Sequence, residues 1–288
     1  LDEKIDKYSM KSIIAKALLE DIGSGDITTQ LTIPQELVIE ADIIAHEEGI
    51  IGGLEIAGMT FKFENENIKF TPQVDEGEYV YPEQLLAKVH GPARAILTAE
   101  RVALNFLQRI SGIATWTSKY VKAVERYSVK IYDTRKTTPC LRILDKYGVR
   151  VGGGYNHRFG LYDEILIKEN HIKIAGGIKK AVDQVKLEAE NRRKCIEVET
   201  QNIDEVKEAV SADVDIIMLD NMDIQTMKEA VKIIKKSNKD IIIEASGGIT
   251  LDNVQEIAKT GVDRISVGAV THSPTVLDIS LEVSSNVY

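Results

Sequence analysis

Apolar residues recur along this chain at two spacings, and the spacing changes partway. From Ser9 to Asp21, Ile13, Ile14, Ala17 and Leu18 share one side of a helical wheel, and Gly23 and Gly25 end the run. From Glu40 to Ala95 the apolar runs are short: Ala41 to Ala45, Ile68 to Phe70 and Leu85 to Val89. Gly49, Gly52, Gly53, Pro72, Gly77, Pro82, Gly91 and Pro92 separate them, which predicts a small sheet-rich domain. Helical spacing returns at Thr98 through Leu104, Leu107 and Ile110, and Ser111-Gly112 predicts a break before a second helix to about Arg126.

Beyond that point short β-branched runs alternate with helical ones. Val129 to Tyr132, Glu164 to Ile167, Cys195 to Val198, Asp215 to Leu219, Ile241 to Glu244 and Arg264 to Val267 read as strands. Gly177 to Asn191, Ile203 to Val210, Ile224 to Lys236 and Leu251 to Lys259 read as helices between them. Such alternation implies a parallel sheet with right-handed crossovers, either closed as a barrel or doubly wound. No Gly-rich dinucleotide fingerprint follows the first strand, which favours the barrel.

With 288 residues, 43% of them apolar, the chain can bury a full core as one barrel or two domains. Charge interrupts the longest apolar runs far too soon for a bilayer, and no charged-then-apolar leader opens the chain. The expectation is a cytoplasmic protein without a membrane partner. Cys140 and Cys195 have neither CxxC spacing nor a nearby His pair, which speaks against a disulfide framework or structural zinc. A net charge of −9 argues against a nucleic-acid partner.

That average conceals a basic island. Arg135, Lys136, Arg142, Lys146, Arg150, Arg158, Lys168 and Lys173 face only Asp145, Asp163, Glu164 and Glu169 in the same stretch. A solvated basic face is the ordinary meaning of a charge run. Several of these cations instead fall beside strand ends and glycines, and in a barrel the active site is assembled where strands end. The first strand runs into Asp133-Thr134-Arg135-Lys136-Thr137-Thr138-Pro139 and the second into Lys168-Glu169-Asn170-His171. Later ones end at Glu199-Thr200, Asp220-Asn221, Ser246-Gly247-Gly248 and Gly268-Ala269.

Arg135, Lys136, Arg158 and Lys168, with His157, suit a ligand bearing several negative charges, because the guanidinium fork grips carboxylate or phosphate bidentately. Glu199 and Asp220 opposite would repel that anion unless they served ribose hydroxyls or a hard divalent ion such as Mg²⁺. Each acid alone reads as surface charge. Gly247 and Gly248, before a helix near Thr250, and Gly268 after the next strand let backbone N–H groups approach phosphate. Gly152-Gly153-Gly154 reads as a flexible loop able to fold over the site. His46, His90 and His272 carry no such pattern.

Thr98 through Asn105, Ser111 through Thr115, Asp133 through Pro139, Gly153-Gly154 with His157-Arg158, and Lys168 with Asn170-His171 resemble the quinolinate phosphoribosyltransferase family. So do Glu197-Val198-Glu199, Asp220-Asn221, Ala245 through Ile249, and Ser266-Val267-Gly268 with Thr271-His272. The resemblance covers nearly the whole chain in order. Where the family usually has Gly after Thr-Thr-Pro, this chain has Cys140, a loop change that leaves the pocket wall there open to slight alteration.

The resemblance implies an α/β fold with an N-terminal α/β sandwich over residues 1–112 and an incomplete α/β barrel over 113–274. A C-terminal segment, 275–288, would return to the first domain. It further implies transfer of phosphoribose from phosphoribosyl pyrophosphate to quinolinate with decarboxylation. The subunits would form a homodimer in which Arg101 reaches the partner's site. Arg101, Arg135, His157, Arg158 and Lys168 would hold the two carboxylates, with Lys136 beside the phosphoribosyl donor. Glu199 and Asp220 would take ribose hydroxyls and Mg²⁺, and Ser246, Gly247, Gly248 and Gly268 the 5′-phosphate. Lys136, Lys168, Glu199 and Asp220 are the implied catalytic residues. Two rival readings stand beside this one: a Schiff-base aldolase using Lys168, and an anion-binding relative that has lost the chemistry.

Overall fold

A computed structural model of the chain describes residues 7–192, 194–237 and 239–284. In order these form α1 (Lys7–Ile22), α2 (Ile27–Thr32), β1 (Val38–Ala45), β2 (Gly49–Ile50), α3 (Leu54–Glu64), β3 (Lys69–Pro72), β4 (Tyr79–Val80), β5 (Leu85–Pro92) and α4 (Ala93–Val124). There follow β6 (Lys130–Tyr132), α5 (Arg142–Val151), β7 (Ile165–Ile167), α6 (Glu169–Ala175), α7 (Ile178–Arg192), β8 (Ile196–Thr200), α8 (Ile203–Ala212) and β9 (Ile216–Asp220). The chain closes with α9 (Ile224–Lys236), β10 (Ile242–Ser246), α10 (Val254–Ala258), β11 (Arg264–Ser266), α11 (Ala269–His272) and β12 (Ile279–Val283).

Two compact units emerge. The first takes residues 1–118, 139–153 and 274–288, and the second 119–138 and 154–273. In the first, an antiparallel sheet ordered β12-β1-β5-β3 carries the helices on its apolar side. Strand β1 alternates exposed and buried positions along its length, as a sheet with one dry face must. Ile39 and Ile43 from β1, Leu86 and Val89 from β5, Met10 and Ile14 from α1, Phe61 from α3, and Ile96 and Leu104 from α4 share one core.

Two expectations about this unit fail. Ser111-Gly112 does not break the helix, since α4 runs for 32 residues through it. Gly112 is there for proximity: a Cβ at this position would collide with the Thr275 carbonyl. The Ser111 hydroxyl bonds the Gly52 backbone, accepting from its N–H at 3.0 Å. Residues 139–153, read as part of the barrel, pack instead in the first unit as α5. Leu144 belongs to the first unit's core, and Asp145, fully buried, receives Arg109 of α4 in a two-pronged ion pair at 2.9 and 3.0 Å. Three cations of the island, Arg142, Lys146 and Arg150, therefore sit on α5 and outside the barrel unit. Gly152 lies tight against Ala114 and Thr117, where a Cβ would not fit, so this glycine serves close packing and not a hinge.

The second unit is a six-stranded sheet ordered β6-β11-β10-β9-β8-β7, parallel throughout. Strand β8 is buried at every position, as expected of a strand covered on both faces. The sheet is strongly curled. Arg264 on β11 reaches Glu197 on β8 at 3.3 Å although β10 and β9 lie between them. In a flat sheet three strand spacings of about 4.8 Å would separate those strands. Among the described residues β6 and β7 are not paired with each other, so the barrel is open, with Tyr155 bridging Tyr132 at the β6 edge. No helix among the described residues is long and apolar enough to cross a membrane.

Candidate active site

The carboxyl ends of the barrel strands surround a cavity of about 570 Å³. Arg135, Lys136, His157, Arg158, Lys168, Glu199, Asp220, Ser246, Gly247 and Gly248 all line it, joined by Thr134, Asn221, Met218 and Glu244. Glu199, Asp220 and Ser246 are strand residues, not members of the turns that follow. The backbone ladder therefore holds their Cα positions, and side-chain torsions alone set where their oxygens point.

The cationic wall is short of partners. Arg135 Nε is buried with no hydrogen-bond partner among the described residues. Arg158 is buried and donates from Nη1 to the Glu164 carbonyl at 3.2 Å. Burial first, and then the neighbouring charge of Arg135, hold the Arg158 guanidinium below its ordinary value. A desolvated cation with a second cation and an unpartnered donor beside it invites an anion. Lys136 is anchored through its backbone, with its N–H donating to Thr134 Oγ1 at 3.0 Å and its carbonyl accepting the Thr271 hydroxyl at 2.8 Å.

Across the cavity Lys168 Nζ donates to Glu199 Oε2 at 2.5 Å. Burial, and secondarily the Glu199 charge, push the Asp220 carboxyl up, against the pull of an Asn221 Nδ2 hydrogen bond of 2.7 Å. Asn221 adopts a left-handed φ of 54° and donates its N–H to the Ser246 carbonyl at 2.9 Å. A Cβ on Gly247, at φ 88°, would overlap the Asn221 amide, so this glycine is required twice over, by conformation and by space. The helix expected at Thr250 begins only at Val254 and is five residues long. Any phosphate there would rest on the amides of Gly247 and Gly248 and not on a helix dipole.

At the floor of the cavity His157 and Glu244, which line it, join Glu197 and Arg264 in a buried charged cluster that no sequence motif brings together. His157 Nε2 stands 3.2 Å from Glu197 and 3.5 Å from Glu244, and Arg264 reaches both carboxylates. Burial opposes charge on the His157 ring, yet the two carboxylates together push it up to about 9. The trio His157, Glu197 and Glu244 is close enough to ligate a metal ion. The Arg264 guanidinium already occupies the electrostatic role an ion would take. No sequence signal marked Arg264, because it lies at the start of its strand, away from the polar strand ends.

Two predicted residues lie apart from the cavity wall. Arg101 is exposed on α4 in the first unit. Gly268 stands just behind the wall, where an added Cβ would come within 3.2 Å of Lys136 Cδ. Cys140, where the resemblance leads one to expect Gly, has φ 65°, a conformation that favours glycine. The half-exposed, ion-paired state of Lys168 is the opposite of a desolvated Schiff-base amine, which counts against the aldolase reading.

Two family profiles match the chain: "Quinolinate phosphoribosyl transferase, N-terminal domain" over residues 26–111 and its C-terminal counterpart over 113–282. The chain is 44% identical over 275 residues to the "Probable nicotinate-nucleotide pyrophosphorylase [carboxylating]" of Bacillus subtilis, covering 96% of this chain and 93% of that one. A Synechocystis protein of the same description is 46% identical over 93% of this chain and 90% of its own length. Among solved structures, the nicotinate-nucleotide pyrophosphorylase of Francisella tularensis superposes with a TM-score of 0.92 at 42% identity, covering 98% of each chain.

Proposed function

The chain belongs to the quinolinate phosphoribosyltransferase family, and from that premise we infer that its barrel cavity joins the ring nitrogen of quinolinate to the ribose of phosphoribosyl pyrophosphate. The products are nicotinate mononucleotide, CO₂ and pyrophosphate, a step of de novo NAD synthesis. The observation that carries this reading is the buried, unpartnered Nε of Arg135 beside the desolvated Arg158, a cationic wall facing Glu199 and Asp220 across one cavity. A ligand with carboxylates at one end and a hydroxylated, phosphorylated sugar at the other matches both walls.

In this reading Arg135, Arg158, His157 and Lys168 hold the two carboxylates, and Arg101 joins them from the partner subunit of a homodimer. The ring nitrogen, aimed at the anomeric carbon, attacks as the bond to pyrophosphate breaks, and positive charge develops on the ribose. Glu199 and Asp220 hold the ribose hydroxyls and offset that charge, so orientation and electrostatics replace a protein nucleophile. Backbone N–H groups of Gly247 and Gly248, with Ser246 and Gly268, receive the 5′-phosphate, and Lys136 lies beside the donor. The electron pair of the adjacent C–CO₂⁻ bond stays on the ring carbon when that bond cleaves, stabilised by the now cationic ring nitrogen beside it. A proton then replaces CO₂ on that carbon, and the protein need only keep the leaving carboxylate in place.

Glu199 and Asp220 are the residues that would hold Mg²⁺, and they fit it. Both offer oxygen ligands, and the Asp220 carboxyl is raised by burial and by the charge of Glu199, a repulsion a cation relieves. Bound with the donor, Mg²⁺ neutralises the departing pyrophosphate. Exposed apolar side chains support the dimer: Leu161, Tyr162 and Ile174 are 73%, 76% and 87% accessible on the barrel unit. The net charge of −9 fits a cytoplasmic enzyme without a nucleic-acid partner.

Purified protein given Mg²⁺, quinolinate and phosphoribosyl pyrophosphate is expected to form nicotinate mononucleotide and equimolar CO₂. Product from nicotinate but not from quinolinate would overturn the dicarboxylate assignment.

A further inference from the structure

The cluster at the cavity floor contains more charge than the proposed chemistry uses. Glu197 and Glu244 are nearly inaccessible, and a carboxylate taken out of water must be compensated where it lies. Arg264, also buried, reaches both, yet one guanidinium against two carboxylates leaves a negative charge in the barrel interior. His157 supplies the balance, its Nε2 facing both acids.

The residue is held at further points. The His157 backbone N–H donates to Asp133 Oδ1 at 2.8 Å, and ring Nδ1 lies 2.8 Å from the Arg158 backbone nitrogen. Asp133, itself fully buried after β6, also receives Asn156 Nδ2 at 2.6 Å. The segment from Asn156 to Arg158 thus hangs on two supports, the Asp133 carboxylate and the His157 ring. The ring in turn is seated by carboxylates from β8 and β10 and, through them, by Arg264 from β11.

Resting on the dicarboxylate reading above, we infer that Glu197, Glu244 and Arg264 are positioning residues that seat His157 and, through it, place Arg158 for the substrate carboxylates. Glu197 and Arg264 lie outside the cavity lining, and Glu244, at its floor, acts through the His157 ring it faces. Their separation across β8, β10 and β11 makes the seat a property of the curled sheet. So seated, His157 keeps its positive charge on the cavity lining, where it adds to Arg158 facing the substrate carboxylates.

Glu244→Gln tests this, because it keeps the size of the side chain and removes one charge. KM for quinolinate is expected to rise roughly tenfold or more, the scale of a weakened charge-assisted contact, with kcat and the donor's KM changing less than about twofold. Glu244→Asp should recover part of the loss. An unchanged quinolinate KM, or an equal rise for both substrates, overturns the proposal.

Histidine-labelled NMR gives a second readout, practical because the chain has five histidines. The His157 signal, assigned by its absence in His157→Asn, is expected to titrate near 9 in the parent and distinctly lower in Glu244→Gln. Identical titrations overturn the seat whatever the substrate. If the parent protein does not turn over quinolinate, the dicarboxylate reading fails separately and the titration alone judges the seat. Should Glu244→Gln not fold, Ser266→Ala removes only the hydroxyl that donates to Glu244 Oε1 at 2.6 Å. It is expected to move both readouts the same way by less, and no movement in either overturns the proposal.

Discussion

Arg135 illustrates how a single side chain announces a missing anion. A buried donor without an acceptor is costly, and proteins retain one mainly where a ligand completes it. Arg135 Nε is such a donor, and Arg158 beside it bears an unfavourable neighbouring cation. Arg135→Lys keeps the charge and loses the planar fork, so it should not act as a conservative change. Steady-state kinetics are expected to show KM for quinolinate up by roughly tenfold to a hundredfold, the scale of charge-assisted hydrogen bonds, with the donor's KM nearly unchanged. A variant indistinguishable from the parent would remove Arg135 from the carboxylate subsite. Arg135 was visible in the sequence because it follows a strand. Its orphaned nitrogen was not, since that depends on which neighbours fail to reach it.

At the scale of elements, α4 and α5 show where local pattern misleads. Glycine within a helical run lowers helix stability, and a Ser-Gly pair reads as punctuation. In α4 the pair is embedded in a 32-residue helix, and the reason lies far along the chain, where Thr275 passes against Gly112. Helix propensity alone predicts that Gly112→Ala stabilises by about 1 kcal/mol. The close approach reverses the sign: overpacking against backbone is expected to cost about 1–3 kcal/mol net, read as a lower urea midpoint. A raised midpoint would restore the punctuation reading. Helix α5 was missed for a related reason. Its amphipathic character was masked by cations that the strand-end pattern had claimed, and only the Arg109–Asp145 pair and buried Leu144 assign it to the first unit.

For the whole molecule, the assembly expectation is the one with the sharpest test. If Arg101 serves the partner's cavity, Arg101→Ala and Lys168→Ala are each nearly inactive alone. Mixed and allowed to exchange subunits, half of the resulting dimers contain one fully intact site, so roughly a quarter of the parent activity should return in a symmetric dimer. No recovery after verified exchange would place Arg101 outside the shared site. Sedimentation of the parent chain checks the premise: a dimer is expected, and it would offer a cover for the exposed Leu161, Tyr162 and Ile174.

The repeating alternation of β-branched and helical runs was enough to specify a parallel α/β unit, because each crossover permits one handedness and strand ends gather on one face. That local rule also made Arg135, Lys136, Lys168, Glu199 and Asp220 legible as one rim, and all of them line the cavity. The seat beneath the rim was illegible because it joins His157 to Glu197, Glu244 and Arg264 from separate strands. No sequence spacing encodes that meeting. It follows from the curl of the sheet, which carries β11 toward β8 and lets buried charges neutralise one another across the interior.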